Sequence, residues 1–300
     1  MTWPLEGIPW QDALPAFILE VIFYASLASE GTRARLEKLP SALFAALLTI
    51  SAVLPYCLAT LALHTFRWPA LGWISLLAGA VSFWYILLPK TPATDLLLLI
   101  FMAVVWIAKL FPQWYASPYP KLYLPVLGQL MWFRTGLFAM LSIRRVKGVG
   151  FGFWPLRREW KIGVAHFAIF LPLAAILAWA IGFARPRVPP LGWERTSLLA
   201  VGTFFGILWV VALAEEFFFR GLLQQWLVAW TSSEWAGLIA ASLIFGAVHV
   251  FYRLFPNWKL AALAALAGVC YGLAFRRARS IRASMVTHAL VVTTWKIFFA

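Results

Sequence analysis

Residues 211–223 read Val211-Ala212-Leu213-Ala214-Glu215-Glu216-Phe217-Phe218-Phe219-Arg220-Gly221-Leu222-Leu223. They lie inside an apolar run from about 197 to 229, long enough to cross a bilayer as a helix and continue beyond it. A charged side chain in such a helix costs at least about 2.5–3.5 kcal/mol, so two adjacent carboxylates there need a reason. Part of the reason is local. Glu216 and Arg220 are four residues apart, share a helix face and can pair. Glu215 is rotated by about 100° from Glu216 and has no partner on its own helix. An unpartnered carboxylate in an apolar helix is a candidate general base.

The rest of the chain places this helix in a membrane. Of its 300 residues, 63% are hydrophobic and 12% charged, about half the charged fraction of a soluble domain. The 18 Trp residues suit the aromatic belts of two interfaces. We expect an all-α polytopic transmembrane bundle of about eight to ten spans. The ten candidates lie near 14–29, 41–63, 70–88, 94–111, 122–143, 161–183, 197–229, 235–252, 259–275 and 283–299. The fifth is the most polar, with Gln129 and Arg134. The net charge of +14 comes mainly from short stretches between apolar runs. It therefore reads as topology signals and lipid-headgroup contacts, not a nucleic-acid surface. Fourteen Lys and Arg residues fall in one set of alternate loops, including Arg33, Lys90, Arg144, Arg145 and Arg276 to Arg282, against nine in the other set. The first set is thus expected in the cytoplasm. The Pro-rich stretches at 112–125 and 185–190 read as loops. The Gly-rich block Gly148-Val149-Gly150-Phe151-Gly152 divides the chain into N-terminal helices of unknown role, 1–147, and a polar-bearing segment, 148–300.

Two histidines accompany the acidic pair. Phe245-Gly246-Ala247-Val248-His249 ends the eighth span, with Phe245 and His249 on one face, and His288 lies in the tenth. Singly, each is more simply read as a hydrogen-bonded structural residue. Two acids, an arginine and two histidines on nearby spans favour a site. The other polar groups have ordinary readings. His64, His166, Asp95 and Glu194 look interfacial, Glu20 and Arg134 can pair with other helices or snorkel, and Cys57 and Cys270 sit in apolar runs as packing residues. Met1 to Asp12 lacks the positive start of a cleavable signal peptide.

These motifs resemble those of the CPBP family, the CAAX-protease and bacteriocin-processing intramembrane proteases. Glu215 to Arg220 matches its EExxxR motif, Phe245 to His249 its FxxxH motif, and His288 the histidine of its third motif. The resemblance covers about residues 150–299, and the order and spacing of the motifs agree. It implies an integral protein of a bacterial inner membrane that cleaves a membrane-associated or lipid-anchored protein within the bilayer. On this reading Glu215 activates a water, His249 positions it or relays its proton, His288 donates to the oxyanion, and Glu216 and Arg220 hold the helix. The third motif usually reads HxxxN or HxxxD, and Val292 stands at its last position, so the polar group is missing there; Thr293, Thr294 and Trp295 are the nearest substitutes. The tail from His288 to Lys296 is similar to a subgroup that processes C-terminal sorting anchors. Two chemistries stay open. The metal-free one needs no cofactor, and Glu215, unpaired and outside an HExxH spacing, favours it. In the other, Glu215, His249 and His288 bind zinc. Two other classes also stay open: a non-catalytic immunity or scaffold protein of the same fold, and a transporter using the acids as a proton relay, which would call for repeated broken helices that the sequence does not show. One geometric demand follows. His288 is early in its span and His249 late in its own, so the two meet only if the helices tilt or start at different depths.

Overall fold

The computed structural model describes residues 10–183, 192–252 and 255–299. The chain forms two compact units, Met1–Val146 and Lys147–Ala300. The fold is an all-α polytopic bundle. The expected loop at 185–190 and the first nine residues lie outside the described ones.

The N-terminal unit begins with α1 (Trp10–Ser26) and α2 (Glu30–Leu36), which meet at 86°. Ser29 forces the restart, its hydroxyl accepting the Thr32 N–H at the head of α2. Then come α3 (Ser41–Ala62), α4 (Trp68–Leu87), α5 (Pro92–Ile107), the short α6 (Leu110–Trp114) and α7 (Pro125–Phe138), which continues as a π-helical turn over Ala139–Ile143. Proline occupies the first turn of α4, α5 and α7, where no N–H is lost. At the centre of the unit Arg134 donates to both carboxylate oxygens of Glu20, at 3.0 and 3.2 Å, and to the Ser51 hydroxyl and carbonyl. This ties α7 to α1 and α3. Asp95, expected at an interface, is buried and takes the Arg144 guanidinium at 2.9 Å.

The C-terminal unit holds α8 (Arg157–Ala180), the 39-residue helix Trp193–Thr231, α12 (Glu234–Val248) with a 3-10 turn over His249–Phe251, α13 (Trp258–Ala278) and α14 (Ile281–Phe298). The long helix comprises α9 (Trp193–Gly206), α10 (Leu213–Glu216) and α11 (Gln225–Thr231), joined by π-helical stretches at Ile207–Ala212 and Phe217–Gln224. Two glycines permit the closest contacts. A Cβ on Gly163 of α8 would lie 2.7 Å from the Ala283 carbonyl of α14, and one on Gly246 of α12 would lie 2.7 Å from the Ala261 carbonyl of α13. The Thr287 hydroxyl donates to the Gly163 carbonyl at 3.0 Å across the first of these contacts.

The Gly-rich block is a strap on the head of α14. Val149 O accepts the Ile281 N–H at 2.9 Å, and Gly150 O accepts the Ser280 hydroxyl at 2.9 Å. Gly150 sits at φ +61 against the Ser280 backbone, a conformation and a closeness that glycine allows. Arg282 reinforces the start of α14 by donating twice to Glu159 of α8.

Among the described residues seven helices are long and apolar enough to cross a membrane, and eight if the bent α1–α2 pair counts as one span. That is the low end of the expected range. Of the remaining candidates, α5 has 16 residues and spans about 24 Å, short of a hydrocarbon core of about 30 Å. α14 is long enough but too polar, carrying Ser284, Thr287, His288, Thr293 and Lys296. Neighbouring helices bury much of it, so packing takes the place of hydropathy.

Candidate active site

The two adjacent glutamates have different surroundings. Glu216 is 0% exposed and lies 3.2 Å from Arg220 in an ion pair within the helix. Glu215 is 35% exposed, and its Oε2 has no hydrogen-bond partner. Both sit in the four-residue α10, between two π-helical stretches that depart from the uniform α-helix expected from sequence. Wider i→i+5 turns of this kind occur frequently at functional sites. The indole of Trp209 in the first stretch donates to Phe153 O at 2.9 Å, fixing that stretch to the strap.

Arg220 is held on every side. It is 1% exposed, donates to Gly268 O of α13 at 3.0 Å, and lies over the rings of Phe245, Tyr271 and Phe219 at 4.6, 5.2 and 5.7 Å. Such a cation–π cage stabilises a desolvated guanidinium by about 2 kcal/mol or more. Gln224, one turn on, donates weakly to Gly272 O at 3.5 Å. Glu216, Arg220 and Gln224 thus repeat at intervals of four, against Gly268 and Gly272 at the same interval.

His288 joins the two acids. Its Nδ1 is 2.8 Å from Glu216 Oε1, and its Nε2 is 3.8 Å from Glu215 Oε2. The Arg220-paired carboxylate accepts, so Nδ1 is the donor and Nε2 faces Glu215. Tyr271 stacks on the imidazole at 4.7 Å and fixes its plane. His249 is bonded through Nδ1 to its own Phe245 carbonyl at 2.7 Å. A carbonyl only accepts, so Nδ1 carries the proton and Nε2 is left as an acceptor. The imidazoles of His249 and His288 flank one Phe245 ring, at 4.7 and 6.1 Å between centroids. His249 is on the 3-10 turn beyond α12 and His288 on the deeply packed α14.

Residues 196–294 match a family described as type II CAAX prenyl endopeptidase Rce1-like. The match covers about a third of the chain. It runs from α9 into α14 and contains all five site residues. No curated protein and no solved structure matches the chain.

Within the matched segment, sequence reasoning missed Tyr271, Gly268 and Gln224. Gln224 left a signal, since it extends the Glu216–Arg220 face by one more turn. Tyr271 left none, because its role depends on which face of α13 turns to His288. Val292 is partly buried, and the hydroxyl of the neighbouring Thr293 is buried without a hydrogen-bond partner. Outside the site, His166 is buried and bonded through Nδ1 to Ile162 O. Among the described residues no group of three or more His, Cys, Asp or Glu is arranged to hold a metal ion. Each imidazole is bonded through Nδ1, His249 to Phe245 O and His288 to Glu216 Oε1.

Proposed function

We propose that the C-terminal unit is a glutamic-type intramembrane endopeptidase that hydrolyses a peptide bond of a membrane-embedded or lipid-anchored protein. The observation that carries this reading is the split between the two acids. Glu216 is fully buried and committed to Arg220 and His288, while Glu215 is partly exposed and lies 3.8 Å from His288 Nε2 through Oε2. Glu215 is then the group able to meet a water and remove its proton. His249 offers Nε2 as an acceptor to hold that water or relay its proton. His288, with Nδ1 anchored on Glu216, presents Nε2 close to Glu215, placed to stabilise the oxygen of the tetrahedral intermediate once it is protonated. Arg220 holds Glu216 in place, and Glu216 in turn aims His288. A substrate with a C-terminal lipid or sorting anchor suits a site whose approach is from the bilayer. We place the protein in a bacterial inner membrane.

The test compares the C-termini of membrane proteins, by mass spectrometry, in cells carrying the wild type and cells carrying Glu215→Gln. The variant is expected to accumulate an uncleaved form with a longer C-terminus. Identical C-termini in both would favour the non-catalytic reading. In a purified assay on the substrate so found, metal-stripped protein in chelator is expected to keep full activity, and loss that zinc restores would overturn the metal-free chemistry.

A further inference from the structure

A second polar site lies far along the sequence from the acidic pair. In the N-terminal unit, Glu37, Leu39, Ser41, Phe44, Lys90, Ser142, Ile143 and Arg145 line a cavity of about 270 Å³. Nearly all of these are at helix ends: after α2, at the head of α3, between α4 and α5, and after α7. All the basic ones belong to the loop set expected in the cytoplasm, so the cavity falls at headgroup level.

Four observations give it the character of an anion site. Ser41 is the first residue of the 22-residue α3, whose N-cap is Pro40, with no side chain capping the turn. Its leading N–H groups are therefore open to an acceptor, at the positive end of the helix dipole. Ser142 is 3% exposed and its hydroxyl has no hydrogen-bond partner among the described residues; a buried donor left in this way is destabilising unless something binds it. Arg145 forms no ion pair among the described residues, whereas its neighbour Arg144 is committed to Asp95. Lys90 is held at the site by donating to Ile143 O at 2.7 Å, which leaves two of its three ammonium protons. Lys90 and Arg145 against Glu37 give the lining a net charge of +1, which matches one phosphodiester. Leu39 and Phe44 supply apolar wall.

We propose that this cavity binds a phosphate oxyanion, and that in the membrane the occupant is the headgroup of an anionic phospholipid. The phosphate oxygens take the Ser41 end of α3, Ser142, Lys90 and Arg145, while Glu37 accepts from a headgroup hydroxyl. The N-terminal helices then serve as a lipid-reading unit. The test uses the full chain in neutral detergent, titrated separately with dioleoyl phosphatidylglycerol, dioleoyl phosphatidylcholine and sodium phosphate, and read by thermal unfolding through tryptophan fluorescence. Phosphatidylglycerol is expected to bind at least about tenfold more tightly than phosphatidylcholine, given the charge preference of such basic sites. Arg145→Gln is expected to weaken it about fivefold or more. Ser142→Ala keeps the fold, because it removes an unpaired group, and weakens binding severalfold. Stabilisation by sodium phosphate with the same Arg145 dependence, and no preference for phosphatidylglycerol, would keep the oxyanion site but overturn the lipid as its occupant. Equal binding of every probe by wild type and both variants would overturn the site.

Discussion

Glu20 meets Arg134 in the N-terminal unit, and Glu216 meets Arg220 in the C-terminal unit; all four side chains are at most 1% exposed. The first pair joins two helices and closes on itself. Both carboxylate oxygens of Glu20 accept from Arg134, and Ser51 takes the remaining contacts. The second pair lies within one helix and stays open. Arg220 contacts Glu216 Oε2 at 3.2 Å and Oε1 at 3.3 Å, Oε1 also accepts His288 Nδ1 at 2.8 Å, and the adjacent Glu215 is left outside the tie to Arg220. The same two residue types therefore form a knot in one unit and a platform in the other. A fully satisfied pair has no chemistry left to offer, whereas one that spares an acid does.

The sharpest way to break this comparison is Glu215→Gln. It leaves the platform intact and removes the proposed base, so turnover is expected to fall by about 10³- to 10⁴-fold, near the upper range of general-base effects, with an unchanged melting temperature. A variant that retains activity would remove the distinction between the two acids. Arg220→Ala and Arg134→Ala each leave a buried carboxylate uncompensated and are expected to cost about 3–5 kcal/mol in denaturant unfolding. They should differ in function. Arg134→Ala keeps the turnover of the folded fraction, while Arg220→Ala loses it because Glu216 no longer holds His288. The double variant Glu20→Leu/Arg134→Leu recovers most of the stability, as replacing a whole buried pair does. Equal turnover losses in Arg134→Ala and Arg220→Ala would erase the contrast.

Gly163→Ala pushes α8 from α14 at the point where a Cβ would meet Val286 and the Ala283 carbonyl. It is expected to cost about 1–3 kcal/mol and to slow turnover severalfold by shifting His288. The smallest effect is expected from Val292→Asn, which restores the third motif's polar residue on the face of His288. A change in turnover of less than about tenfold would show that the oxyanion donor comes from elsewhere.

The sequence carried much of this. Glu216 and Arg220 were paired by spacing alone, because i, i+4 neighbours share a face whatever surrounds them. Glu215 was set apart by the same rotation. Glu20 and Arg134 were marked as candidates for interhelical pairing, since neither is tolerable alone in lipid. The membrane itself was legible in hydropathy, which each helix carries independently. α14 was the exception to strict hydropathy, its polar residues being covered by packing.

The remainder depended on register between helices separated in sequence. Tyr271 stacks on His288, and Gly268 accepts Arg220, only because α13 turns one particular face toward the long helix and α14. The meeting of His249 with His288 around Phe245 required a 3-10 turn after α12 and a deeply packed α14. The π-helical stretches on both sides of Glu215 and Glu216 likewise had no composition to announce them. By itself the sequence determined the solvent, the helices, and which acid is paired within its own helix, since these follow from local spacing and side-chain chemistry. Only the tertiary structure decided that the free acid lies 3.8 Å from a histidine anchored on the paired one, because that distance is set by how three helices pack.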